Sequence, residues 1–138
     1  MNARKSWRLA VLGLLVAASG CGRLDLINVS GRLTYKGQPV PSTRVKFVPA
    51  DNSRPSHGLT DDNGNFTLKY SRTQTGIRRG PYTVVLKYEV SAEEELHEIP
   101  PKASKELKAV IEKYKDPATS NLHYEVTTNG QFIEIPLE

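Results

Sequence analysis

The amino-acid sequence predicts an all-β sandwich of about seven strands, with one short amphipathic helix before the last two strands. Three observations carry this reading. Apolar and polar residues alternate over short runs, the period of a strand with one buried face. Clusters of Gly, Pro, Asn and Asp separate those runs at the spacing of sandwich turns. One segment alone, Ser104–Lys115, places its apolar residues three and four apart.

Residues 22–27 read as a tether leading into the first strand. Val29, Gly31, Leu33 and Tyr35 then share a face against Ser30, Arg32 and Thr34. Lys36-Gly37-Gln38-Pro39 reads as a turn, since proline has no N–H to give a ladder. Val45 and Phe47 alternate with Arg44 and Lys46 in the second strand, and Ser56–Thr60 forms a brief third after a polar loop. Asn63-Gly64 predicts a type I′ hairpin into Phe66, Leu68 and Tyr70. Ser71–Gly80 reads as a basic loop.

Pro81–Val90 is the longest strand, with Tyr82, Val84, Leu86 and Tyr88 on one face and Val85 half-buried opposite. A polar stretch with Glu93, Glu94, Glu95 and Glu98 precedes the helix. Leu107, Val110, Ile111 and Tyr114 make one helical stripe, Ser104 is its expected N-cap, and Pro117 bars continuation past Asp116. Leu122–Thr127 and Phe132–Leu137 are the last strands, joined at Asn129-Gly130 in a second expected hairpin.

The first 20 residues read as an export signal. Arg4, Lys5 and Arg8 precede the apolar run Leu9–Ala18, and Ala18-Ser19-Gly20 lead into Cys21. The run falls short of the roughly 20 apolar residues of a membrane span. Cys21 is the one cysteine, which excludes an intramolecular disulfide and a cysteine zinc site. Its position resembles that of bacterial lipoproteins, which implies acylation of the Cys21 thiol and residues 21–27 as a lipidated tether. The alternative is plain cleavage that leaves a free thiol.

Three of the 19 basic residues lie in that leader and none of the 15 acidic ones, so residues 21–138 carry 16 against 15. That balance excludes nucleic-acid binding by bulk charge. The charge is uneven along the chain. Residues 21–87 hold 11 basic and 4 acidic groups, and residues 88–138 hold 5 and 11. Interleaved strands are expected to mix the two.

Gly31-Arg32-Leu33-Thr34-Tyr35-Lys36-Gly37-Gln38-Pro39-Val40, Val45-Lys46-Phe47-Val48-Pro49, Thr60-Asp61-Asp62-Asn63-Gly64-Asn65-Phe66 and Gly80-Pro81-Tyr82-Thr83-Val84 occur in this order. Together they resemble the carboxypeptidase-regulatory-like modules, and the tail Glu112–Leu122 is similar to the closing segment of small bacterial lipoproteins built on them. The resemblance spans residues 28–137 and implies one Greek-key sandwich of the prealbumin (transthyretin) type over residues 28–138. Those lipoproteins commonly carry Pro where this chain has Ile111, so a longer helix is expected here. The resemblance implies an exported, membrane-anchored setting and no particular activity.

Nothing in the residues composes a catalytic site, and no cofactor is expected. Asp61-Asp62-Asn63-Gly64 departs from a calcium loop, with Leu59 and Tyr70 at ligand positions. His57, His97 and His123 stand far apart. The glutamate run has nothing to raise a carboxyl pKa. The best binding candidates are Arg72, Arg78 and Arg79, suited to carboxylate or phosphate. The expected function is a non-catalytic, lipid-anchored interaction or structural module of the cell envelope, on the periplasmic face or the cell surface. Its expected partners are the membrane and an envelope protein or glycan. A glycan- or anionic-polymer-binding accessory domain is the alternative.

Overall fold

The structure, a computed structural model, describes residues 22–90 and 103–138. In chain order the elements are β1 (Leu26–Ile27), β2 (Val29–Tyr35), β3 (Gln38–Pro39), β4 (Thr43–Pro49), β5 (Ser56–Leu59), β6 (Asn65–Thr67), β7 (Ile77–Arg78), β8 (Gly80–Tyr88), α1 (Lys105–Glu112), β9 (His123–Val126) and β10 (Gln131–Leu137). One sheet runs β5-β4-β8-β9, all antiparallel. In the other, β10 pairs in parallel with β2, while β3 and β6 share the opposite edge of β2. A two-stranded β1-β7 ribbon stands beside them. The fold is the all-β sandwich that the alternation predicts.

The seven expected strands are β2, β4, β5, β6, β8, β9 and β10; the other three have two residues each. Pro39 lies in β3 opposite Thr34, although the sequence suggested only a turn. Ile77–Arg78 is likewise a strand inside the expected loop. A proline survives in β3 because the strand is so short, and Pro136 lies in β10, at the edge of its sheet.

The inner faces supply one core. Phe47 is fully buried at its centre, with ring centroids 5.9 Å from Tyr82, 6.3 Å from Phe66 and 6.5 Å from Tyr124. Leu33, Val45, Val84, Leu86 and Ile135 fill in around it, each at most 1% exposed. Full burial of such a side chain contributes about 1.5–3 kcal/mol. Gly31 leaves room for this packing: a Cβ there would stand 2.5 Å from Phe66 Cζ and 2.3 Å from the Ile133 carbonyl.

Both Asn-Gly segments turn corners between sheets instead of closing hairpins. β6 leaves β5 for β2, touching β5 again through the His57–Lys69 bridge, and β10 leaves β9 to pair with β2. At the first corner the Gly64 N–H donates to the Asp61 carbonyl at 2.9 Å, and Gly64 alone in the turn has positive φ, at 75°. The expected type I′ turn is thus replaced by an ordinary turn followed by a left-handed glycine. The cause is Asp61, whose Oδ1 accepts the N–H of both Asn63 and Asn65 at 2.9 Å and bends the chain locally.

Ser104 caps α1, its Oγ accepting the Leu107 N–H at 3.1 Å. Val110 and Ile111 are buried, with Leu107 and Tyr114 packed against the core. The helix ends at Glu112, earlier than the sequence suggests. The Tyr114 carbonyl is taken by the Leu86 N–H at 2.9 Å, so the chain abandons the helix to cover the edge of β8. Val84 N–H to the Leu122 carbonyl at 2.8 Å, and Ser120 Oγ to the Val84 carbonyl at 2.5 Å, extend that cover towards β9.

Candidate anion-binding face

Alternation on β4, β5 and β8 turns Arg44, Lys46, His57 and Lys87 to the outer face of one sheet. The register sets like beside like: Arg44 pairs with Lys87, Lys46 with His57, and His57 with Lys69 in the isolated bridge. Like charges directly opposite one another are destabilising in a sheet. The three strands come from the basic half of the chain, so the expected mixing of charge is only partial on this face. The acidic half reaches this face through Glu89, through Glu112 of α1 and through β9, with Glu125 at the margin opposite Pro81.

The acids Glu89, Glu112 and Asp61 border the cluster. Glu89 accepts Arg44 bidentately, Nε to Oε1 at 2.6 Å and Nη2 to Oε2 at 3.1 Å. Those hydrogen bonds hold the Glu89 carboxyl below the usual carboxylate range and raise the guanidinium further. His57 is pushed below its ordinary value, first by burial and then by Arg44, Arg54, Lys46 and Lys69. A groove of about 480 Å³ runs over this region, with Arg44, His57 and Lys69 on its walls and Asp61 at its end. A second hollow, about 560 Å³, lies over Val85, with Lys46, Lys87 and Lys115 and the acids Glu89 and Glu112 on its walls. Val85 is 8% exposed, in line with the half-buried opposite face expected of β8. The arrangement offers several donors over a flat face, suited to an extended anion more than to a small substrate.

The three arginines singled out from sequence have different local settings. Arg72 lies exposed in a tight turn, where Ser71 Oγ accepts the Gln74 N–H at 3.1 Å. Arg78 is on β7, opposite Leu26. Arg79 is ion-paired with Asp25, and its Nε donates to the Thr127 carbonyl at 3.1 Å. Arg78 and Arg79 share a groove with Arg23 and Leu24 that Arg72 does not line. Sequence reasoning passed over Arg44, Lys46, His57, Lys69 and Lys87. The outward phase of β4 was readable, but its pairing with β8 was not.

The remaining candidates are structural or lie elsewhere. His123 contacts Thr83, Nδ1 to Oγ1 at 3.2 Å, on exposed β9. The export leader, Cys21, Glu93–Glu98 and His97 lie outside the described residues. Among the described residues, no three His, Cys, Asp or Glu side chains come together as metal ligands, and no helix is long and apolar enough to cross a membrane.

No protein-family model and no curated protein matches this chain. Among solved structures, it is similar to a DUF3823 family protein from Parabacteroides merdae ATCC 43184, at 12% identity and a TM-score of 0.40. The likeness covers 80% of this chain and 44% of that one, so the chain spans less than half of that protein's length.

Proposed function

We propose that this chain is a lipid-anchored module of the bacterial cell envelope, a carboxypeptidase-regulatory-like sandwich that acts by interaction and not by catalysis. The observation that carries the reading is the spacing of anchor and domain. Cys21 follows an export signal, and the first strand begins at Leu26, leaving only four residues between them. The non-catalytic part is supported by the buried hydroxyls of Ser56 and Ser120, both committed to backbone carbonyls. Detergent partitioning of the full chain tests the anchor: wild type enters the detergent phase and Cys21→Ala stays in the aqueous phase. Both remaining aqueous contradicts it.

A second reading, an accessory domain for an anionic polymer, is favoured by the Arg44–Lys46–His57–Lys69–Lys87 face. Retention on immobilised polygalacturonate but not on neutral dextran is the expected behaviour. It weakens with salt and is lost in a Lys46→Glu/Lys69→Glu variant.

A further inference from the structure

The two ends of the sandwich differ in the kind of charge they carry. Strand directions place segments 22–25, 50–55, 71–79 and 127–130 at the β1-β7 end. Those segments hold five basic residues, Arg23, Arg54, Arg72, Arg78 and Arg79, against Asp25 and Asp51. All five are arginines. The segments at the far end, 36–42, 60–64, 89–90 and 103–122, hold five basic residues against six acidic ones, and there all five are lysines. Arginine grips a phosphate with a planar fork of donors, whereas lysine offers a hydrated point charge.

The arginine end is also the end tied to Cys21. Arg79 holds Asp25 in an ion pair and fixes itself to the Thr127 carbonyl, so the chain is pinned four residues after the cysteine. Four extended residues span at most about 14 Å. Leu24, 44% exposed, stands in the groove with Arg23 and Arg78, an apolar side chain among cationic ones. Arg54 lies over the Tyr70 ring at 5.5 Å, which fixes its guanidinium at this end.

We propose that this end is a docking surface for the headgroups of anionic phospholipids, with Arg23, Arg54, Arg72 and Arg78 meeting the phosphates and Leu24 entering the interface. It rests on the lipid-anchored reading and adds an orientation: the β1-β7 end lies on the bilayer and α1 points away. The charge complementarity acts within about a Debye length, 8–10 Å, and the short tether holds the arginines within that reach, strengthening a contact that they also make unaided.

The test uses residues 22–138, which lack Cys21 but keep every core residue, from Ile27 to Leu137. The expected result is co-sedimentation with phosphatidylglycerol-containing vesicles, not with pure phosphatidylcholine ones. Binding weakens as salt rises, and Arg72→Glu/Arg78→Glu reduces it about tenfold or more. Lys46→Glu/Lys87→Glu, on β4 and β8 of the sheet face, leaves it unchanged. Equal binding to both vesicle types overturns the proposal, and so does loss in the sheet-face variant alone. Because this fragment carries no lipid, its failure is separate from failure of Cys21 acylation, which detergent partitioning of the full chain reports.

Discussion

The two outer faces of the sandwich share one core and differ in almost everything else. On the β10-β2 side, Arg32 lies opposite Glu134, and Ser30, Thr34, Asn65, Thr67 and Phe132 make the rest largely neutral. On the β5-β4-β8 side, Arg44, Lys46, His57, Lys69 and Lys87 crowd together, with Glu89 paired to Arg44 and Glu112 and Asp61 at the borders. Packing explains the inner faces of both sheets equally well. It does not explain why one outer face carries repulsion that the other avoids, and the proposed polyanion reading rests on that surplus charge.

Removing what the faces share has the largest expected effect. Phe47→Ala empties the aromatic centre that both sheets contact and lowers stability by about 3–5 kcal/mol, read by chemical denaturation. Gly64→Val comes next. It forces a β-branched residue to φ 75°, with its Cβ 2.4 Å from the Leu33 carbonyl, and the expected cost is at least about 2 kcal/mol. Asp61→Ala removes two carboxylate bonds to backbone N–H groups at the same corner and costs about 1–2 kcal/mol. Calcium leaves the melting temperature of wild type unchanged if this corner is a turn and not a metal site.

How far the sequence discloses this molecule depends on the range of the interaction. Inward residues such as Val45, Phe47, Val84 and Ile135 follow from local alternation, and Ser104 follows from its place before the helical stripe. The Asn-Gly signals locate both turns, because glycine's left-handed freedom is a local property. They do not reveal that the strands part to opposite sheets, since partner choice is settled by burial far along the chain. The same limit hides the basic face. Arg44 and Lys87 are outward in their own strands, yet only the β4-β8 register makes them neighbours.

Charge changes on the basic face are expected to spare stability. Lys46→Glu shifts it by less than about 1 kcal/mol, in the stabilising direction, because it sets an acid among the cations of this face, Arg44 and Lys87. The Arg44–Glu89 pair is partly exposed, at 41% and 32%, and contributes about 0–1 kcal/mol. Glu89 is depressed in the folded chain, so that small contribution is present above the unfolded carboxyl value and fades as pH falls through the folded one.

His57 gives the smallest and most specific effect. Its folded value is lowered, so the unfolded chain takes up the proton first and stability declines as pH falls below about 6.5. A bound polyanion opposes that trend by favouring the imidazolium among Arg44, Lys46, Arg54 and Lys69, with Glu89 and Asp61 as the acids nearby. Affinity for polygalacturonate therefore rises as pH drops from 7 towards 5.5, and His57→Gln flattens much of that rise.

The most direct measurement of the difference between the faces is polygalacturonate affinity, by calorimetry at two salt concentrations, for three proteins: wild type, Lys46→Glu/Lys69→Glu and Arg32→Glu. The account predicts salt-sensitive binding by wild type, near-complete loss in the double variant, and affinity close to wild type for Arg32→Glu. Weakening in Arg32→Glu by half or more of the loss in log affinity seen in the double variant would contradict it. Binding would then track net charge, which changes by two in one variant and four in the other, and not the face that β4, β5 and β8 build together.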